Sequence, residues 1–89
     1  MANKAHEYHE VDPYLEFSQV LDTVKKEFPF KGPQAQLARL IGVTRAQVHL
    51  WSIREDGRVP APWCYRIPVI FERLGLAPVE RHATESPNA

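Results

Sequence analysis

The chain has 89 residues, 44% of them hydrophobic and 25% charged, which is the composition of one small globular domain with one core. It contains one cysteine, Cys64, so no disulfide can form within the chain, and no apolar run approaches the roughly 20 residues that span a bilayer. Formal net charge is zero, but the charges are segregated. Residues 1–30 carry three lysines against six carboxylates, residues 31–66 carry six cations against Glu55 and Asp56, and residues 67–89 carry Arg73 and Arg81 against three glutamates. A basic middle between acidic ends can present a local positive face, and the local field governs encounter with phosphate. On charge alone a solvated charge run is the commoner meaning of such a pattern, so charge by itself does not establish a nucleic-acid partner.

The N-terminus, MANKAHEYHE, lacks the apolar stretch of a signal peptide. With the lone cysteine this predicts a cytoplasmic protein. Residues 1–11 are polar and are expected to form a flexible start. Asp12-Pro13 has the form of an N-cap followed by proline at the first helical position. Tyr14, Phe17, Val20, Leu21, Val24 and Phe28 then recur at helical spacing, predicting a first helix to about Phe28, where Pro29 stops it. A short second helix is predicted over 34–41, with Leu37, Ala38, Leu40 and Ile41 inward and Gly42 at its end. Thr44 and Gln47 have capping-box spacing, predicting a third helix to about Ile53 that buries Val48 and Trp51. Glu55-Asp56-Gly57-Arg58 predicts a turn. Trp63, Ile67, Ile70, Phe71 and Leu74 form a last apolar stripe. Pro68 inside it predicts a kink or a split into two pieces, since an interior proline costs about 3 kcal/mol. Residues 76–89 are expected to be a flexible tail, leaving residues 12–75 as the domain.

The pair of short helices is the informative feature. A helix-turn-helix needs a small residue where its helices cross, a residue tolerant of a left-handed turn between them, and apolar residues that lock the pair to the domain. Ala38, Gly42, and the set Leu37, Ile41, Val43, Val48 and Trp51 meet those needs between Gln34 and Ile53. The second helix must begin at the surface so that its first turn can enter a major groove. Thr44, Arg45, Ala46, His49 and Leu50 are the residues it would present to base edges. Lys31, Gln34, Arg39, Arg54 and Arg58 are the candidates for the phosphate backbone.

The stretch GPQAQLARLIGVTRAQVHLW resembles the helix-turn-helix of the phage Cro and repressor superfamily, in particular the Cro-like and YdaS-like regulators. In those proteins a segment like Arg58-Val59-Pro60-Ala61 and a further helix follow the recognition helix. The resemblance covers about Phe30 to Leu74. It implies an all-α, lambda-repressor-like bundle of four or five helices. It also implies a homodimer that binds a pseudo-palindromic operator in double-stranded DNA and represses transcription in a bacterial or phage-infected cell. By the same resemblance Gln34 would touch a phosphate, and Arg45, Ala46, His49 and Leu50 would face bases. Pro33 departs from the pattern, standing where many relatives have Ser or Thr. Ala46 and Leu50 are apolar where polar readers are common, which suits contact with thymine methyl groups.

Dimer candidates are Trp63, Tyr65, Val69 and Leu76. Tyr65 and Val69 fall off the main apolar stripe and either complete the core or face a second copy. Trp51 and Trp63 are expected in the core rather than as stacking platforms, and Cys64 is expected buried and unreactive. His6 and His9 lack the further ligands of a metal site. No nucleophile with a base, no phosphate-cradling glycine loop and no effector pocket is evident, so neither an enzyme nor a cofactor or small-molecule effector is expected. The alternative reading is a helical protein-interaction module, such as an antitoxin or adaptor, built on the same scaffold.

Overall fold

The computed structural model describes residues 13–83. The expected flexible start and the His6–His9 pair lie outside the described residues. Four helices and a two-stranded antiparallel ribbon follow in the order β1 (Pro13–Tyr14), α1 (Phe17–Glu27), α2 (Pro33–Ile41), α3 (Arg45–Ser52), α4 (Ala61–Arg73) and β2 (His82–Ala83). The protein is thus mostly helical. Among the described residues no helix is long and apolar enough to cross a membrane.

The first helix begins later than the Asp12-Pro13 signal suggests. Pro13 and Tyr14 are extended and pair with Ala83 and His82. The next residues bond to the turn before α4: the Val59 amide donates to the Leu15 carbonyl at 3.0 Å, and the Phe17 amide donates to the Gly57 carbonyl at 3.0 Å. That second bond satisfies a helix-start donor that Glu16, the N-cap, does not satisfy with its side chain. Two extended partners therefore outcompete a local helix start. From Phe17 onward the expected spacing holds, and Phe17, Val20 and Val24 are buried while Leu21 and Phe28 pack at the core's edge.

Helix α2 starts at Pro33 because proline needs no amide partner there and its φ is already helical. It ends at Gly42, whose φ of 78° and ψ of 32° are left-handed. The Gly42 and Val43 amides both donate to the Ala38 carbonyl, at 2.9 and 3.0 Å, closing the helix as a Schellman-type end does. Helix α3 opens with the full capping box. Thr44 Oγ accepts the Gln47 amide at 3.1 Å, and Gln47 Oε1 accepts the Thr44 amide at 3.3 Å.

Helix α4 runs as one element through Pro68 rather than as two pieces. Fully buried Ile67 and Phe71 flank the proline, and their burial offsets the lost backbone bond. The core joins Leu15, Val20, Val24, Leu37, Val48, Ile67 and Phe71. Trp51 is buried and meets the half-buried Trp63 with ring centroids 5.6 Å apart, tying α3 to α4.

The segment after Gly75 is packed as far as it is described, contrary to the expected loose tail. Leu76 packs against the core, Val79 is buried, and the Ala77 amide donates to Glu27 Oε2 at 3.0 Å. His82 stacks on Tyr14 and its Nε2 lies 3.0 Å from Gln19 Oε1. The folded unit therefore extends from at least 13 to 83, and it carries a short ribbon that an all-α reading omits.

Candidate nucleic-acid interface

Helices α2 and α3 pack against each other, and α1 also packs against α2. Their joint is the left-handed Gly42, followed by the half-buried Val43 and by Thr44. Ala38, buried on α2, is small enough to let the two backbones approach, and Val48 and Trp51 turn the opposite side of α3 into the core. What remains outward on α3 follows from the 100° step of a helix. Arg45, Ala46, His49 and Leu50 are exposed, and the last is 59% exposed.

Gln34, at the start of α2, lines a shallow open groove together with Arg45, Ala46 and His49. A neighbouring groove is lined by Gly32, Pro33, Gln34, Ala35 and Arg45. Arg45 thus stands between the first turn of α3 and the first turn of α2. Four of the expected contact residues are brought together here on one surface. Thr44 is exposed as well, but its hydroxyl oxygen is already an acceptor for the Gln47 amide, so its first role is to hold the helix start.

The remaining expected backbone contacts divide. Lys31 and Arg39 are exposed, the one in the turn before α2 and the other on the outer face of α2. Arg54 and Arg58 lie elsewhere, and their charges are engaged. Arg54 forms a two-pronged ion pair with Asp56, Nε to Oδ1 at 3.2 Å and Nη2 to Oδ2 at 3.0 Å. The Arg58 amide donates to Asp56 Oδ1 at 3.0 Å, and its guanidinium carbon sits 3.8 Å from the centroid of the Tyr14 ring. The Arg54 hydrogen bond, with the Arg58 amide behind it, lowers the Asp56 carboxyl to about 2. These residues line one cleft with Pro13, Val59 and Cys64, away from Gln34 and Arg45. Burial pushes the Cys64 thiol up, and its sulfur lies 3.8 Å from the Pro13 carbonyl, which leaves it without the thiolate character of a reactive cysteine.

Three exposed apolar residues were not expected as site residues: Phe30, Ile53 and Leu74, the last half-exposed at the end of α4 although its spacing put it on the inward stripe. Ile53, 63% exposed, caps α3 on the outward side, seven residues beyond Ala46. That spacing was the available signal. Phe30, 98% exposed, forms part of the turn before α2. Of the four dimer candidates, Trp63 and Leu76 pack against the core. Tyr65 and Val69 are 50% and 46% exposed on α4, so they do not complete the core. They line an open groove with Ile41, Trp63, Ile70, Arg66 and Arg73.

Comparison with family models, with curated proteins and with solved structures found no match to this chain.

Proposed function

We propose that this protein is a sequence-specific regulator that binds double-stranded DNA through a helix-turn-helix formed by α2 and α3. The observation that carries the reading is the convergence of Gln34, Arg45, Ala46 and His49 on one open surface across the left-handed turn at Gly42. In such a motif the second helix enters the major groove and the start of the first rests on the backbone. Arg45 then reads a guanine through O6 and N7, and His49 reads beside it. Ala46 and Leu50 meet thymine methyl groups. Gln34, Lys31 and Arg39 hold phosphates, which fixes register without reading sequence.

Helix α3 spans eight residues and reaches only a few base pairs. Useful specificity then requires two half-sites about one helical turn apart, hence a homodimer on a pseudo-palindromic operator. The α4 face around Tyr65 and Val69 is the surface available for the second copy. Repression follows from occlusion of a promoter, as in Cro-like regulators.

Selection of bound sequences from a random duplex pool tests the reading. The expected result is a two-fold-related motif, bound with an affinity that falls steeply with salt through counterion release. Recovery of no enriched sequence, together with binding that ignores salt, contradicts it and favours the protein-interaction alternative.

A further inference from the structure

Phe30 is the most exposed large apolar residue described, at 98%, and the fold gives it no task. It stands third in a four-residue turn closed by the Lys31 amide on the Phe28 carbonyl at 3.1 Å, with Pro29 in the second place. Proline there fixes φ in advance, so the turn holds its shape. A polar residue or glycine would serve the turn equally well and would spare an aromatic ring from water. A scattered surface phenylalanine would mean little by itself. Its position is what matters. Phe30 is followed by exposed Lys31, then by Gly32, Pro33 and Gln34, which line the groove at Arg45. Gln34 is the fourth residue after Phe30, so their Cα atoms are at most about 14 Å apart.

With α3 in the major groove and Gln34 on the bordering phosphates, the next feature outward along the duplex is the edge of the minor groove. Resting on the DNA-binding reading above, we infer that Phe30 packs against the deoxyribose wall of the minor groove flanking each half-site, with Lys31 on the adjacent phosphate. The pair has the chemistry of a sugar–phosphate strand: a flat apolar ring for the sugar's carbon face and a cation for its phosphate. Apolar side chains do enter minor grooves, as wedges between base steps; here the ring lies along the sugar wall instead and leaves the bases stacked. The contact carries no base code of its own, so it strengthens binding to selected and random duplexes alike.

The test compares full-length Phe30→Ala, Phe30→Leu, Lys31→Ala and Arg45→Ala on the best selected duplex and on a random one. Because Phe30 touches nothing in the core, Phe30→Ala leaves the melting temperature in place. The expected result is a loss of affinity of about 5- to 10-fold on both duplexes, as befits removing one partly buried aromatic side chain. The salt slope stays unchanged, because an apolar contact releases no counterion. Hydroxyl-radical protection of the flanking sugars disappears, and Phe30→Leu keeps most of both affinity and protection. Lys31→Ala, by contrast, makes the slope shallower by about one phosphate contact per protomer. Unchanged affinity and footprint in Phe30→Ala, with Arg45→Ala still losing sequence preference, overturns the inference and leaves the DNA-binding reading intact. Loss of neither in both variants removes the reading as well. A change in sedimentation without a change in footprint also overturns it, because the ring then docks on protein.

Discussion

Two arginine-bearing turns lie within fifteen residues of each other and have opposite fates. At the start of α3, Arg45 stands in the open between two grooves, with no ion pair among the described residues. In the turn before α4, Arg54 is clamped by Asp56 and Arg58 lies over Tyr14. The two turns read alike as basic residues near a helix end. What separates them is the company within reach. The second turn carries its own carboxylate, and the extended segment at Tyr14 and Leu15 runs alongside it, bridging Glu16 to Arg58. A cation that already holds an anion, as Arg54 does, or an aromatic face, as Arg58 does, has less to gain from a phosphate. The lesson is that a basic stretch is a set of separate cations, and each must be asked what it already holds.

Several substitutions sharpen or break that contrast, and the largest effects fall on the scaffold that presents Arg45. Ala38→Leu overpacks the crossing of α2 and α3 and is expected to cost about 1–3 kcal/mol in a denaturant melt. Gly42→Val places a β-branched residue at positive φ. No neighbouring atom lies within 4 Å of the added Cβ, so the whole cost is backbone strain, of about 1–2 kcal/mol. Gly42→Asn recovers part of it, since asparagine visits that region more readily. Unchanged melting in both Ala38→Leu and Gly42→Val means that the motif has been misplaced.

The second turn supplies the next effect. Arg58→Ala removes the ring contact and is expected to cost about 0.5–1 kcal/mol of stability while leaving the salt dependence of DNA binding as it was. A shallower salt slope in that variant would show that Arg58 holds phosphate after all. The smallest effect is on acid stability. The Arg54 hydrogen bond lowers Asp56 to about 2, below its ordinary value near 3.8. A depressed carboxylate stabilises the fold above its unfolded-state value, and the contribution is lost as pH falls through about 2. Asp56 and Arg54 both lie at the surface, so solvent screens most of it. Melting profiles of wild type and Asp56→Asn should differ a little near neutrality and converge at the acid end.

The parts of the molecule legible in the sequence are those determined by neighbours in the chain. Pro33 starts α2, Gly42 ends it, and Thr44 with Gln47 starts α3, each through bonds spanning five residues or fewer. The grouping of Gln34 with Arg45, Ala46 and His49 followed from those boundaries and the helical step. The ribbon was not legible, because Pro13 and Tyr14 find their partners some seventy residues away, in a segment whose composition resembles a tail. A shorter but still non-local bond hid the late start of α1, since the Phe17 amide is satisfied by Gly57, forty residues on. The contact of Arg58 with Tyr14 was hidden likewise, because the ring stands forty-four residues before it. Of the two outcomes expected at Pro68, the split does not occur, its local cost being outweighed by the burial of Ile67 and Phe71.

The central claim is that the exposed first turn of α3 reads sequence while neighbouring cations only hold the duplex. Competition binding of wild type, Arg45→Ala and Arg39→Ala against the selected duplex and a scrambled one, at two salt concentrations, tests it most directly. The account predicts that Arg45→Ala loses about 1–3 kcal/mol on the selected duplex alone and flattens preference at one base pair per half-site. It predicts that Arg39→Ala weakens both duplexes about equally, with a salt slope shallower by about one contact per protomer. An Arg45→Ala protein that keeps the full ratio of selected to scrambled binding contradicts the account.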